Sequence, residues 1–282
     1  MKMMIELIIG KLERRLLMKY DELVDTVVEG HKNNPIDIFK TGKTNGEYQY
    51  LNLHKSSYVR TVRDVDRLLK TNRKDKKILE IGAYLGPVSI SLKMLGYDVF
   101  AQDVPEFHKS AALRNLYKTN GIPFIGTNLR QYKLPYESNY FDTVIICEVL
   151  EHLNFNPLPV LQEINRVLKT NGILYIGMPN QVQLLMRLKL LFGKSVHPPI
   201  DDFFRQLSKN NNIIFDLHWR EYTISETSEM IERLGFQTID KYYFAQEGYM
   251  KGNFIWRSLK RLAYMIPSFK PTQVVVGKKI SQ

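Results

Sequence analysis

The chain has 282 residues, of which 44% are hydrophobic and 24% charged, so it can bury a core and lies in the ordinary globular range. Its single cysteine, Cys147, excludes an intramolecular disulfide and a zinc site built from several cysteines. The formal net charge of +11 would suit a nucleic-acid partner. The lysines and arginines are spread along the chain, however, which favours general solubility or attraction to an anionic membrane surface.

The first predicted element is an amphipathic helix near the start of the chain. Its apolar face is formed by Ile5, Ile8, Ile9, Leu12 and Leu16. We expect this face to dock on the protein's own core or on a second subunit, giving a homodimer through the N-terminal helices. A membrane-surface helix is the alternative. Residues 1–71 are therefore predicted to form an N-terminal helical extension ahead of a main domain at 72–282.

Export and membrane-insertion signals are not expected in this sequence. The apolar runs are shorter than the roughly 20 residues of a transmembrane helix. The N-terminal stretch carries Glu6 and lacks a small-residue cleavage site, unlike a signal peptide. These features favour a cytoplasmic protein, and peripheral contact with the inner membrane face remains open.

From Lys77 onward the pattern alternates between apolar strands and amphipathic helices, which is typical of a parallel sheet covered on both faces. Strands are predicted at 78–81, 97–101, 122–126, 143–147, 173–178, 236–244 and 272–277, and helices at 88–95, 107–118, 159–168, 183–192, 225–234 and 254–265. The 159–168 helix should end in the basic turn 169–172. The fold class is thus α/β: a Rossmann-like, doubly wound seven-stranded sheet, mostly parallel with an antiparallel last strand. A helical and loop insertion at 181–222 should follow the fifth strand.

The turn after the first predicted strand carries a carboxylate and two glycines. Glu80 ends the strand, and Gly82 and Gly86 follow in the loop that leads into the next helix. Glycine allows close approach of a ligand to the backbone and positive φ without a Cβ clash. A strand, a glycine turn and a helix in this order predict a nucleotide pocket, in which the carboxylate can face a ligand ammonium.

Polar residues follow the second and third predicted strands. Asp103 lies close to the spacing of about 20 residues after the loop that is expected for an acid binding ribose hydroxyls. A surface acid that caps the next helix is the alternative for Asp103. Asn128, just past the third strand, can hydrogen-bond an adenine edge.

Several later segments complete an ordered set of motifs. They are Asn139-Tyr140-Phe141-Asp142, Cys147-Glu148-Val149-Leu150-Glu151-His152-Leu153, Asn165-Arg166-Val167-Leu168-Lys169-Thr170-Asn171-Gly172 and Gly177-Met178-Pro179-Asn180. The set resembles the class I S-adenosylmethionine-dependent methyltransferases, of the small-molecule type with a Val-Leu-Glu-His-Leu segment after the fourth strand. The resemblance covers residues 77–180 closely.

The resemblance implies a cofactor, S-adenosyl-L-methionine, and a set of roles. Glu80, Gly82 and Gly86 would line its methionine end, Asp103 would bind the ribose, and Asn128 would lie near the adenine. Glu148 would line the pocket beside the methionine moiety. Similar family members often methylate surface glycans or lipid-linked sugars, which by analogy suggests a sugar, glycan or lipid-linked acceptor and a role in glycan biosynthesis.

Tyr84 departs from the family pattern, because a glycine normally stands at that position. A Cβ in a left-handed conformation costs about 1–2 kcal/mol, which a folded protein tolerates. The ring is the larger change: it can turn outward, cover and hydrogen-bond the cofactor, or partly close the pocket.

Two histidines are candidates for the base that removes a proton from an acceptor hydroxyl. His152 follows the fourth strand, at the carboxyl edge where ligands bind in open α/β sheets, and a buried helix histidine is its alternative. His218 lies beside Glu221 and Tyr222 in the insertion, where a packing role is the alternative. No group of histidines and carboxylates shows metal-ligand spacing, so no metal site is expected.

The sequence as a whole predicts an O-methyltransferase. A non-catalytic binding or scaffold protein, with Tyr84 impairing the cofactor loop, is the main rival. A nucleotide-dependent sugar dehydrogenase or epimerase is disfavoured because the loop lacks the dinucleotide pattern, and an RNA methyltransferase is suggested by charge alone. The basic amphipathic helices at 183–192 and 254–265 are expected to pack on the core, with an acidic membrane surface as the alternative.

Overall fold

The structure is a computed structural model that describes residues 19–38, 45–69, 72–207, 217–246 and 253–280. The amphipathic helix predicted at residues 5–16 lies outside these ranges. The chain divides into two units, Met1–Thr127 and Asn128–Gln282. The predicted boundary between an extension and a main domain near residue 71 stays a prediction.

The first unit begins with two helices, α1 over 19–33 and α2 at Asn45–Leu69. Three parallel strands follow, β1 (Lys77–Ile81), β2 (Asp98–Asp103) and β3 (Phe124–Gly126), in the lateral order β3-β2-β1. The helices between them are α3 (Pro87–Met94), α4 (Pro105–His108) and α5 (Ala111–Thr119). The single helix predicted at 107–118 is therefore two, and Ser110 caps the second through its side chain.

The second unit contains strands in the lateral order β4-β5-β7-β6, which are β4 (Phe141–Cys147), β5 (Leu168–Pro179), β6 (Phe236–Phe244) and β7 (Thr272–Lys279). β4 and β5 are parallel, and β7 runs antiparallel to both β5 and β6. The helices are α6 (Leu158–Val167), α7 (Leu184–Leu191), α8 (Ile200–Leu207), α9 (Ile224–Glu232) and α10 (Phe254–Ala263). The predicted fold class is confirmed, with seven strands in one mixed sheet.

Two local predictions in the second unit are wrong. The basic stretch 169–172 does not end a helix: α6 stops at Val167, and the stretch belongs to β5, where Lys169 pairs with Asp142 at 2.7 Å. Asn171 does take the left-handed conformation expected of it, with φ 64°. The insertion at 181–222 contains α7, the helix predicted at 183–192, but it also contains α8, where the sequence predicted no helix.

Asp66 of α2 holds the first unit together through four hydrogen bonds. Its two carboxylate oxygens accept from the Tyr20 hydroxyl of α1 at 2.6 Å, from the Tyr97 hydroxyl at 2.7 Å, and from two Arg73 nitrogens at 2.7 Å each. Burial raises the pKa of Asp66, but the hydrogen bonds from Arg73, Tyr20 and Tyr97 outweigh it and the net shift is downward. Asp66 is therefore charged in the folded chain and joins both N-terminal helices to the turn before β1.

Replacing Asp66 by Asn should lower the free energy of unfolding by about 2–3 kcal/mol at neutral pH, because an amide cannot accept all four bonds and Arg73 loses its counter-charge. Since the folded pKa lies below the unfolded value, this stability is present above the unfolded pKa and is lost as pH falls through the folded pKa. Urea denaturation across the acid range measures both effects. Asp75→Asn, at an exposed site, is the control and should change stability by less than about 0.5 kcal/mol.

Candidate functional site

The loop between β1 and α3 has the backbone geometry that its glycines predict. Gly82 and Gly86 have φ values of 78° and 77°, and the Gly82 N–H donates to the Gln102 carbonyl of β2 at 2.9 Å. A Cβ on Gly86 would lie 3.0 Å from Ile90 Cδ1 and 3.3 Å from the Tyr117 hydroxyl. A residue larger than glycine at position 86, or a different backbone conformation of the loop, would therefore cause strain.

Three side chains from other elements of the first unit hold this loop. The Tyr117 hydroxyl of α5 donates to the carbonyls of Ala83 and Tyr84 at 3.0 and 3.1 Å. His31 of α1 lies with its Nε2 2.8 Å from the Leu85 carbonyl, so the proton of a neutral ring sits on Nε2. Burial lowers the pKa of His31, which keeps the ring neutral.

Glu80 is buried at the end of β1 and accepts a hydrogen bond from the Ser89 hydroxyl of α3. Burial raises the pKa of Glu80 to about 8, against the opposing effect of the bonds from Ser89. An acid with such a pKa is mostly neutral at pH 7 and ionises readily when a cation comes close. This environment suits a carboxylate that meets a ligand ammonium.

Asp103 is buried at the end of β2 and is fixed by two backbone donors. Its Oδ2 accepts from the Tyr84 N–H and its Oδ1 from the Val104 N–H, each at 2.7 Å. Burial raises the pKa of Asp103 to about 6. The alternative of a surface acid capping the next helix is wrong, because the residue is buried and α4 has no side-chain cap. Each oxygen retains a second lone pair, so the carboxylate can accept two ribose hydroxyls.

Tyr84 takes the left-handed conformation of the missing glycine, with φ 47°. Its ring is half-buried and lies 5.7 Å from the Tyr50 ring of α2 and 5.7 Å from the Phe107 ring of α4, measured between centroids. Burial, with the carboxylates of Glu47 and Asp103, raises the pKa of its hydroxyl far above the usual range. The ring thus belongs to an aromatic cluster, and it stays protonated as a hydrogen-bond donor.

Asn128 and Glu148, the other two predicted cofactor residues, lie in the second unit. The exposed Asn128 side chain accepts from the Arg130 N–H at 3.0 Å, which leaves its amide N–H groups as donors. Glu148 directly follows β4 in a left-handed conformation, with φ 53°, and its N–H donates to the Gly177 carbonyl of β5 at 2.8 Å. Their predicted contacts with adenine and with the methionine moiety stay predictions.

Both candidate bases, His152 and His218, lie together in the second unit. Their ring centroids are 4.8 Å apart in an edge-to-face arrangement. His152 Nδ1 is 3.1 Å from the Leu217 carbonyl, and His218 Nδ1 is 2.9 Å from Glu221 Oε1. When each Nδ1 donates its proton to that oxygen, each Nε2 keeps a lone pair. His152 is thus a half-buried residue of the 3₁₀ helix Leu150–His152, with its ring against a backbone carbonyl, so the structure does not separate its role as a base from the alternative of a helix histidine.

Glu151 completes this cluster, although the sequence reasoning did not select it. Its side chain is fully buried, and neither carboxylate oxygen accepts a hydrogen bond. Burial raises the pKa of Glu151 well above its usual value, and the Glu148 and Glu221 carboxylates add to the effect. The backbone carbonyl of Glu151 accepts from the Trp219 N–H at 2.7 Å, which ties the segment after residue 216 to this turn.

The predicted absence of a metal site rests on the spacing of histidines and carboxylates along the chain, and it stays a prediction. One donor atom from each of Glu151, His152 and His218 lies within 4.8 Å of the others. The neighbouring pair was visible in the sequence, but His218 is distant along the chain and gave no spacing signal. Ser89 was also missed, although a hydroxyl placed in the first turn after a glycine loop could have indicated a partner for Glu80.

Comparison with known proteins identifies a methyltransferase domain within the chain. Residues 79–176 match the family model described as a methyltransferase domain. A stretch of 67 residues is 37% identical to an uncharacterised protein of Methanocaldococcus jannaschii, covering 24% of this chain and 29% of that protein's length.

Solved structures resemble the fold over most of the chain. An S-adenosylmethionine-dependent methyltransferase of Archaeoglobus fulgidus is 14% identical, with a TM-score of 0.54, and the match covers 82% of this chain and all of that one. One from Thermotoga maritima is 16% identical, with a TM-score of 0.53, covering 83% of this chain and 95% of that one.

Residues 79–176 therefore match a methyltransferase domain, and the structure confirms the predicted fold class. The predicted enzyme type, a methyltransferase, and the predicted cofactor, S-adenosylmethionine, agree with this domain. The first unit fits that cofactor, because its loop can approach closely, its Asp103 has lone pairs to spare, and its Glu80 is a buried acid without a cation.

The affinity for S-adenosylhomocysteine, which carries the same ammonium as the cofactor, should depend on Glu80 ionisation. The Glu80 pKa is raised, so the charged form that attracts the ammonium becomes populated as pH rises through about 8. We expect the affinity of the native chain, relative to that of Glu80→Gln, to increase about tenfold between pH 6.5 and pH 9. Calorimetry at several pH values measures this ratio, and a ratio independent of pH would contradict the assignment.

Proposed function

We propose that the chain transfers a methyl group from S-adenosylmethionine to a hydroxyl of a sugar, glycan or lipid-linked small molecule. The observation that supports this most directly is the buried Asp103 carboxylate, which the glycine loop itself fixes through the Tyr84 N–H. The cofactor supplies an activated methyl group on a sulfonium. The protein's own contribution is then chiefly to bind and align, and orientation alone can lower a barrier by about 7–11 kcal/mol.

The cofactor residues have separate roles in this proposal. Asp103 accepts hydrogen bonds from the ribose hydroxyls, and Glu80 binds the ammonium, with Gly82 and Gly86 allowing the loop backbone to come close. The Asn128 amide donates to the adenine, and Glu148 lines the methionine end. These assignments rest on the resemblance, on the geometry of the first unit and on the donor groups that Asn128 retains.

The base is assigned to the His152–His218 pair. Each ring has its Nδ1 within hydrogen-bond distance of an oxygen, and in this proposal its Nε2 takes the proton of an acceptor hydroxyl. Glu221 supports His218 in particular, because a carboxylate on Nδ1 orients the ring and stabilises the imidazolium that forms. Replacing the working base is expected to reduce the transfer rate by about 10²–10⁴.

The rival proposal is a non-catalytic protein in which Tyr84 impairs the cofactor loop. The geometry favours catalysis, since the Tyr84 backbone reproduces the left-handed conformation of a glycine and its ring packs against Tyr50 and Phe107. Tyr84 would then form one wall of the cofactor pocket.

Cofactor binding measured by calorimetry separates the two proposals. We expect the native chain to bind S-adenosylmethionine, and Asp103→Ala to bind it at least tenfold more weakly through loss of charged hydrogen bonds. Asp98→Ala, at the opposite end of β2, is the matched control and should bind normally. Absence of binding at about millimolar cofactor, with binding restored by Tyr84→Gly, would establish the rival.

A lipid-linked acceptor is supported by apolar surface on two helices of the second unit. α7 and α10 contain no buried residue, so the expectation that they pack on the core is wrong. On α10, Phe254, Ile255 and Leu262 are 82%, 68% and 66% exposed. Within the described part of the chain, no helix combines the length and apolarity needed to cross a membrane.

The helices α7 and α10 form one surface, as their charges and a contact between their segments indicate. We propose that this surface lies on an anionic membrane. Arg257, Lys260 and Arg261 of α10 lie on the helix side opposite the stripe of Ile255, Leu259 and Leu262. The turn after α10 contacts α7, since Arg187 stacks over the Phe269 ring at 5.2 Å. Basic residues flanking exposed aromatic and aliphatic side chains are typical of helices that lie in a lipid interface.

The purified chain should sediment with vesicles containing phosphatidylglycerol and much less with vesicles of pure phosphatidylcholine. Trp256→Ser combined with Leu262→Ser should weaken the binding at least tenfold by removing inserted apolar area. Met94→Ser, also at an exposed apolar site but in the first unit, is the control and should leave binding unchanged. Equal binding by all three proteins would exclude this surface as the contact.

A further inference from the structure

A buried carboxylate and two imidazoles converge in the second unit, on two segments held together by main-chain hydrogen bonds. Glu151 and His152 lie in the turn after β4, and His218 lies in the segment before α9. One donor atom from each side chain lies within 4.8 Å of the other two. The Trp219 N–H, bonded to the Glu151 carbonyl at 2.7 Å, fixes His218's segment against the turn.

Each imidazole has an oxygen partner at Nδ1, as have histidines that bind a metal through Nε2. The Leu217 carbonyl occupies Nδ1 of His152, and the Glu221 carboxylate occupies Nδ1 of His218. Histidines that bind metals through one ring nitrogen almost always donate the other N–H to a carbonyl or a carboxylate, which fixes the tautomer and the ring orientation. Both types of partner are present here.

The Glu151 carboxylate gives independent support, because it is buried near the Glu148 and Glu221 carboxylates without a hydrogen-bond donor. The side chain is fully buried, neither oxygen accepts a hydrogen bond, and His152 Nε2 is 4.0 Å from Oε1, beyond hydrogen-bond range. A buried polar group without a partner is unfavourable by about 1–3 kcal/mol, and by more when it is charged. A cation or a proton shared with Glu148 would relieve this penalty.

We propose that Glu151, His152 and His218 bind a divalent transition-metal ion, and that zinc is the ion the donor set favours. Two imidazoles and one carboxylate are the ligands of open zinc sites, whereas magnesium prefers a shell of oxygens alone. Bonds of about 2.0–2.1 Å in a tetrahedron place donor atoms roughly 3.3 Å apart, so the cluster contracts by about 1.5 Å at most when the ion binds. A fourth position of the tetrahedron stays open to water or a hydroxyl.

In a given molecule, the same histidines cannot both bind the metal ion and act as the base. A metal-bound Nε2 has no lone pair left to take a proton. The metal site depends on the donor geometry of the second unit and not on methyl transfer, so each proposal can fail without the other.

Equilibrium dialysis of the untagged full chain against zinc tests the site, with magnesium as the comparison ion. We expect one zinc per chain and at least a hundredfold weaker binding of magnesium. Glu151→Gln and His218→Ala should each weaken zinc binding at least tenfold, and Glu221→Gln should weaken it about 10–100-fold through the outer partner. His197→Ala removes an exposed histidine outside the cluster and should have no effect.

Cobalt substitution and a folding check complete the test. Cobalt(II) in the native chain should show the visible absorption of a four-coordinate site, and this absorption should be lost in His218→Ala. An unchanged far-ultraviolet circular dichroism spectrum and an unchanged urea unfolding midpoint without zinc, for each variant, would show that the fold is retained. Zinc affinity that is equal in the native chain, Glu151→Gln and His218→Ala would overturn the proposal, as would absence of stoichiometric zinc, which would leave the shared proton as the explanation of Glu151.

Discussion

The hydrogen bond from the Tyr84 N–H to the Asp103 carboxylate is the constraint on which the first unit's ligand site depends. It joins the loop after β1 to the end of β2, and so fixes the position of the loop relative to the acid. A non-glycine residue in the left-handed region is unfavourable by about 1–2 kcal/mol, whereas a hydrogen bond to a charged acceptor contributes about 1.5–3 kcal/mol. The bond therefore offsets the strain of Tyr84, and the unusual residue leaves the backbone of the loop intact.

The residues around that hydrogen bond stabilise the loop that forms it. The Tyr117 hydroxyl donates to the Tyr84 carbonyl and to the Ala83 carbonyl, which also accepts from the Gly86 N–H, and Gly86 leaves room for this hydroxyl. Burial raises the pKa values of both Glu80 and Asp103, so two acids beside the loop are easily neutralised. In the proposed function, the ammonium and the two ribose hydroxyls of the cofactor would pair with these acids.

The sequence was sufficient to predict the features that depend on residues close together along the chain. Apolar periodicity located all seven strands, and the glycine loop, Asp103 and Glu148 were found because each follows a strand directly. The cluster of Glu151, His152 and His218 could not be predicted in this way, because His218 is distant from the other two residues along the chain. The exposure of α10 could not be predicted either, because an amphipathic pattern is the same whether its apolar face meets a core or a membrane.

The contact between His31 and the Leu85 carbonyl shows that the loop after β1 depends on residues that precede the family match. The family match begins at residue 79, yet α1 supplies the hydrogen bond to this carbonyl of the loop, and α2 supplies the ring on which Tyr84 rests. A shortened protein that begins at the first strand would keep every residue of the recognised motif and lose part of its support. The two helices α1 and α2 thus support the loop from outside the matched domain, although they contain none of its motif residues.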